Sequence, residues 1–159
     1  MTIKSIFLDR DGVINKETNY LHKIEDFNFI AGIFEACNHF KNLNYKIIII
    51  TNQSGISRGF YNTDDYMKLT DWMVAEFVKN EIDILDIYFC PHSPTEDCHC
   101  RKPKPGMLLD AKKKYNIDMK KSWFIGDREA DIMAANNAGI SNTILVRSGH
   151  KINESSSNA

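Results

Sequence analysis

Five short apolar runs, separated by segments with helical spacing, constrain this chain more than any other feature. They fall at residues 5–8, 46–50 ("KIIII"), 84–89 ("ILDIYF"), 123–125 ("WFI") and 143–146 ("TILV"). Each is strand-length, and several are rich in β-branched or aromatic residues. Continuous apolar character, rather than alternation, predicts strands buried on both faces of a parallel sheet. Between them, Ile33, Cys37, Phe40 and Leu43 repeat at helical spacing after Gly32. Tyr66, Leu69, Met73 and Phe77 do the same, with Asn62 and Thr63 as cap candidates and Asp64 and Asp65 in a first turn. Pro105 suits the first turn of a third helix bearing Leu108, Leu109 and Ala111, and a fourth is expected from about Arg128 to Ala138, stopped by Gly139. The alternation predicts a doubly wound α/β fold, in which ligands bind beyond the carboxyl ends of the strands.

The chain has 159 residues, enough for one domain, expected over residues 1–150 with a polar, disordered tail at 151–159. Its 20 basic and 21 acidic residues leave a net charge of −1, so no basic field attracts nucleic acid. No apolar run approaches a membrane span, and the N-terminal segment lacks a signal-peptide core, which together predict a cytoplasmic protein.

Chemistry-bearing residues follow each apolar run in turn. After the first come Asp9-Arg10-Asp11-Gly12, after the second Thr51-Asn52-Gln53-Ser54-Gly55. After the third comes a cysteine-rich loop ending in Arg101-Lys102, and after the fourth Gly126-Asp127-Arg128-Glu129-Ala130-Asp131. Taken singly, each has an ordinary reading as a solvated loop, a turn, a surface charge or first-turn acids. Taken together at consecutive strand ends, they make one pocket of carboxylates, a hydroxyl and a cation. Asp9 and Asp11 lie one residue apart and repel unless something neutralises them. Mg²⁺, a hard ion that prefers oxygen, fits between Asp9 and Asp127 and would grip a phosphate oxygen. Thr51, the amides after it and Lys102 would bind the other oxygens, leaving a carboxylate to attack phosphorus.

The loop "CPHSPTEDCHC" carries Cys90, His92, Cys98 and Cys100. Three thiols and an imidazole within eleven residues suit tetrahedral Zn²⁺, and four protein ligands make it structural. His99 rivals His92, although three adjacent ligands would crowd one ion. Cys37, on the apolar face of the first helix, reads as core.

These motifs resemble those of the haloacid dehalogenase (HAD) superfamily of phosphotransferases: Asp9-x-Asp11-Gly12, Thr51, Lys102 and Gly126-Asp127-x-x-x-Asp131. The stretches "FLDRDGVIN", "YLHKIEDFNFI", "TNQSGISRGF", "CRKPKPGMLL" and "VRSG" further resemble the D-glycero-D-manno-heptose 1,7-bisphosphate phosphatases, a subgroup shared with histidinol-phosphate phosphatases. The resemblance implies a HAD-like fold without a separate cap domain, and Mg²⁺-dependent removal of the C7 phosphate, a step that supplies heptose for bacterial surface glycans. It implies Asp9 as nucleophile, Asp11 as general acid and then base, and Thr51 and Lys102 as phosphoryl anchors. It further implies Mg²⁺ on Asp9, Asp127 and the backbone carbonyl of Asp11, and zinc on the cysteine loop. Asn52, Arg101 and Arg128 would help hold the substrate.

Three departures stand out: Val13 where the superfamily commonly has threonine, Arg128 where related phosphatases often have lysine, and a chain that stops soon after the fifth strand. With only one loop and one helix between Asp11 and Lys46, specificity must come from short loops. The candidates there are Glu17, Asn19, Tyr20, Gln53, Ser54 and Arg58, while Thr18 and Ser57 read as ordinary loop residues. One of Arg58, Arg101 and Arg128 would hold the distal phosphate of a sugar bisphosphate. The chain is expected to act as a monomer. Three rivals are a histidinol-phosphate phosphatase, a phospho-accepting receiver domain and a zinc-stapled interaction module. A receiver needs an acceptor aspartate after the third strand, where this chain has Cys90-Pro91-His92, and the interaction module leaves the assembled acids unexplained.

Overall fold

A computed structural model describes residues 1–151, 155 and 157–159. Its centre is a five-stranded, wholly parallel sheet in the order β3-β2-β1-β4-β5. The strands are β1 (Ser5–Leu8), β2 (Lys46–Asn52), β3 (Ile84–Cys90), β4 (Trp123–Gly126) and β5 (Asn142–Leu145). All five apolar runs are strands, with ends that differ from the expected ones by a residue or two. The helices are α1 (Ile33–Asn42), α2 (Thr63–Lys79), α3 (Gly106–Tyr115) and α4 (Glu129–Asn137).

The pleat of each strand sorts its side chains into two cores. Ile6, Leu8, Ile47 and Ile49 pack with Cys37 of α1 and Leu69, Met73 and Phe77 of α2. Phe7, Ile48, Ile50 and Phe124 pack on the other face with Met107, Leu108 and Ala111 of α3 and Ala134 and Ala135 of α4. The isoleucines of "KIIII" therefore serve both faces alternately, which is why the run shows no polar gap. The expectation of two fully buried faces fails for β3 and β5: as edge strands, both are mostly half-buried.

Helix starts follow local chemistry. Asn62 caps α2, accepting from Asp65 N at 2.8 Å while Asp65 Oδ2 accepts from Asn62 N at 3.0 Å. Pro105 sits at the cap position of α3, one residue before its first turn. Gly139, with φ +91°, follows the end of α4.

Between β1 and α1 lie a single 3₁₀ turn, Ile24–Asp26, and two isolated bridges, Asp11 to Asn15 and Asn15 to Phe29, and between β3 and α3 the cysteine loop, so neither insertion holds a cap domain. No helix among the described residues is long and apolar enough to cross a membrane. The expected disordered tail falls largely on residues 152–154 and 156, outside the described residues; of the rest, Asn158 N donates to Glu129 Oε1 at 2.8 Å.

Candidate active site

The strand order places the carboxyl ends of β1 and β4 side by side at the centre of the sheet, where successive crossovers leave in opposite directions. Asp9 follows β1 directly, its amide donating to Ile125 O at 3.1 Å, and Asp127 follows β4. Lys102, from the end of the cysteine loop, reaches in beneath them. Its Nζ lies 2.9 Å from Asp9 Oδ1 and 2.7 Å from Asp131 Oδ1, and also donates to Ile50 O at 2.9 Å. Its backbone is clamped to the end of β2: Lys102 N donates to Asn52 Oδ1, and Asn52 Nδ2 to Lys102 O.

Asp131, at the third position of α4, spends its second oxygen on the amides of Asp127 and Arg128, at 3.1 and 3.2 Å. A first-turn acid of this kind suits the helix dipole, but here it also orients Lys102 and the backbone of the neighbouring acid. A Cβ at residue 126 would sit 2.4 Å from that of Asp131, so glycine is required before the pair.

Three carboxylates against one ammonium leave the site short of positive charge. Burial, reinforced by Asp131 and Asp127, pushes Asp9 well above the usual carboxylate range, against the pull of Lys102. Burial opposes the charge on Lys102, but Asp131 and Asp9 outweigh it and raise its pKa. Burial likewise opposes charge on Asp127, yet the backbone N–H and ring of His150 hold its pKa down. Those two groups both meet Asp127 Oδ2, at 2.8 and 2.6 Å. The other oxygen, Oδ1, is buried and has no hydrogen-bond partner.

Oxygens of Asp9, Asp127 and Asp131 approach within 4.8 Å of one another. Buried, charge-deficient and oxygen-lined, with one orphaned carboxylate oxygen, this is a set that fits a hard divalent cation. Gly12 and Gly149 pack so closely on Asp127 that a Cβ on either would lie within 2.2 Å of its Oδ2.

A cavity of about 400 Å³ opens above these groups. Asp9, Asp11 and Lys102 line it, as do all nine expected substrate residues: Glu17, Asn19 and Tyr20 from the first loop, Asn52, Gln53, Ser54 and Arg58 from the second, and Arg101 and Arg128. Thr51, 1% exposed, does not line it, although its neighbours Asn52 and Gln53 do. Thr18 also lines the cavity, whereas Ser57 turns its hydroxyl to Ser54 O. Two expected substrate ligands are otherwise engaged: the amide of Asn52 clamps Lys102, and that of Gln53 is spent on protein groups.

Cys90, His92, Cys98 and Cys100 bring their ligand atoms within 4.8 Å of one another, with His92 turning Nδ1 inward. His99 points away, its ring 3.6 Å from Asp110 on α3. Burial raises the thiol of Cys98, but the amides of Arg101 and Cys100 outweigh it and bring the pKa down to about 7. Burial and the Cys100 thiol push Cys90 the other way. Several thiolates at one point need a cation to coexist, and the three-sulfur, one-nitrogen set fits zinc.

Comparison with known proteins decides the family. Residues 99–158 match a HAD-hydrolase-like family model. The D-glycero-alpha-D-manno-heptose-1,7-bisphosphate 7-phosphatase of Campylobacter jejuni is 54% identical over 95% of this chain and 87% of its own. That of Photorhabdus laumondii is 50% identical over 99% of this chain and 90% of its own. A crystal structure of D,D-heptose 1,7-bisphosphate phosphatase from B. bronchiseptica, complexed with magnesium and phosphate, matches with a TM-score of 0.86 at 32% identity, covering 92% of this chain and 82% of that one. The chain belongs to the heptose-1,7-bisphosphate 7-phosphatases of the HAD superfamily. The acids of this family member stand just after β1 and β4 and in the first turn of α4.

Two polar side chains of this phosphatase-family cavity, His150 and Tyr61, carry no signal of their own in the sequence. His150, just after "VRSG", lies on Asp127 with Nε2 3.6 Å from Glu17 Oε1 and beside Arg128. Tyr61, whose hydroxyl donates to Gln53, fits because Gly55 leaves room: a Cβ there would lie 2.2 Å from its ring. Neither has a local signal, since each acts on a residue it meets only through the fold.

Proposed function

We propose that the chain hydrolyses the C7 phosphate of D-glycero-D-manno-heptose 1,7-bisphosphate to heptose 1-phosphate through an aspartyl-phosphate on Asp9. It acts as a monomer in the cytoplasm, with Mg²⁺ on Asp9, Asp127 and the carbonyl of Asp11, and structural zinc on Cys90, His92, Cys98 and Cys100. The observation that carries the reading is the buried Asp9–Lys102–Asp131 chain of ion pairs beside Asp127, whose free oxygen belongs to the same acidic cluster.

Bound there, the magnesium ion supplies positive charge to the carboxylates and to the phosphoryl oxygens. Asp9 attacks phosphorus while the bond to the C7 oxygen breaks, and the electron pair stays with that oxygen. Asp11, which lines the same cavity, hands it a proton. Water then attacks the aspartyl-phosphate with Asp11 taking its proton, and Asp9 leaves as carboxylate. Lys102, fixed by Asp9 and Asp131, offers its ammonium to the phosphoryl oxygens, which carry the negative charge of the transition state. Thr51 supplies a hydroxyl to the phosphoryl group. Arg58, Arg101 and Arg128 ring the cavity, where a second phosphate of the same molecule needs cations.

The α anomer is the expected substrate, because the relatives at 50% and 54% identity are named for that anomer, whereas those named for β stand at 42–47%. A phosphate-release screen with Mg²⁺ over both heptose bisphosphate anomers and histidinol phosphate tests the proposal. Multiple turnovers on the heptose, slower release from histidinol phosphate and none from Asp9→Asn are expected. Full speed in Asp9→Asn would end the aspartyl-phosphate reading, and faster turnover of histidinol phosphate would end the sugar assignment.

A further inference from the structure

Behind Asp11 lies a closed polar cluster to which the roles above give no task. Gln53 lines the cavity yet is only 3% exposed. Its Nε2 donates to Asp11 Oδ2 at 3.1 Å and to Thr51 Oγ1 at 2.8 Å. Its Oε1 accepts from Arg10 at 3.3 Å and from the Tyr61 hydroxyl. Both N–H donors of the Gln53 amide are therefore taken, and its oxygen is held by Tyr61 with a shared contact from Arg10, so Gln53 keeps no donor for a sugar hydroxyl. Its place on the cavity wall therefore needs a reason other than substrate contact.

The partners supply that reason. Arg10 is 2% exposed and donates to Asp11 from both Nε and a terminal nitrogen, at 3.2, 3.0 and 3.0 Å; Asn15 adds a bond at 3.0 Å. Asp11 is thus held from behind on both oxygens. Thr51 accepts from Gln53 at 2.8 Å, so its own hydroxyl hydrogen points elsewhere, and the bond it makes within the protein, to Asn52 O, is long at 3.4 Å. A bond that long yields readily to a phosphoryl oxygen, a stronger acceptor.

We propose that Gln53, anchored by Tyr61 and Arg10, is a positioning residue that sets the Asp11 carboxyl for proton transfer to the leaving sugar oxygen and turns the Thr51 hydroxyl toward the phosphoryl group. This rests on the acid–base reading of Asp11. In the step concerned, the bond from Asp9 to phosphorus forms and that from phosphorus to the C7 oxygen breaks. The electron pair stays on that oxygen, and the proton of Asp11 goes to it.

The test compares kcat/KM on heptose bisphosphate and on 2,4-dinitrophenyl phosphate, using the metal-loaded enzyme. This ratio counts only steps up to departure of the leaving group, and dinitrophenolate departs without a proton. Gln53→Met keeps length and removes the amide. It should lower kcat/KM on the sugar on the order of 10²-fold, as misplacement of a reacting group does. The loss on dinitrophenyl phosphate should be roughly tenfold smaller, since general-acid help is not needed there. The inhibition constant of heptose 1-phosphate should stay within about threefold, because Gln53 touches no substrate. Tyr61→Phe, which deletes one hydroxyl, should show a weaker loss with the same substrate bias, and it decides the matter where Gln53→Met fails to fold. Equal losses on both substrates, a loss matched by weaker heptose 1-phosphate binding, or no loss would overturn the proposal. Wild-type turnover of heptose bisphosphate by Asp11→Asn would remove the acid–base reading itself. A sugar-biased loss in Asp11→Asn without one in Gln53→Met would remove only the positioning role.

Discussion

Lys102 concentrates the electrostatic problem of this site in one residue. It is 4% exposed, and both its carboxylate partners are buried with it. A buried charge whose partner is deleted costs about 3–5 kcal/mol, because the remaining ion can neither reach water nor find a counter-charge. Lys102→Met should therefore lower the unfolding free energy by about that amount in urea titrations without added metal. Adding Asp131→Asn to it should recover part of the loss, since one stranded carboxylate is then gone. Activity should not return in the double variant, because the cation facing the phosphoryl group is still missing. Full additivity of the two stability effects would show that Lys102 and Asp131 are not a coupled pair. The sequence made Lys102 visible only through its motif; its depth, and its link to Asp131 across 29 positions, come from the fold.

The cysteine loop does for one element what the ion pairs do for one residue. It runs from the end of β3 to the start of α3, and Arg101 and Lys102 close it. Its backbone docks on the helix start, where Gly106 N donates to His99 O at 3.1 Å and a Cβ on Gly106 would collide with that carbonyl. Zinc would hold the other end, tying Cys90 on the strand to Cys98 and Cys100, two to four residues before the lysine. Cys98→Ser should lower zinc content and activity together while leaving far-UV circular dichroism unchanged, because Cys98 lies outside the strands and makes none of the ladder pairings. A zinc-free variant at full activity would refute the mechanical task. This element was readable in advance because ligand spacing is a local property: four donors within eleven residues announce an ion. The strands were equally readable as apolar runs, but not their neighbours. The "ILDIYF" run looks as buried as "KIIII", and only pairing reveals that β3 is an edge, with Asp86 facing Lys114 and Tyr115 instead of a further strand. Tyr61 and His150 carry no sequence signal for the same reason, since their partners Gln53 and Asp127 lie 8 and 23 positions away.

At the scale of the molecule, two apolar cores on either side of one sheet press three carboxylates together at its carboxyl edge. The burial that makes the fold stable also raises Asp9 and leaves Asp127 Oδ1 without a hydrogen-bond partner, a local penalty that a divalent cation would relieve. An ion that binds only the folded chain adds RT ln(1 + [L]/Kd) to its stability, about 2.7 kcal/mol at a hundredfold excess over Kd. For a domain of this size that corresponds to a rise in Tm of about 5–10 °C. Mg²⁺ should produce this shift in the zinc-replete protein, and Ca²⁺, which is larger and takes more ligands, a smaller one. Asp127→Asn should abolish the shift, because it removes the charge from the only carboxylate of the three with a buried oxygen left unpaired. Substitution of an acid remote from the cluster, such as Asp118, should leave it intact. An undiminished shift in Asp127→Asn would place the stabilising ion elsewhere and separate the charge deficit of the buried acids from the binding of magnesium.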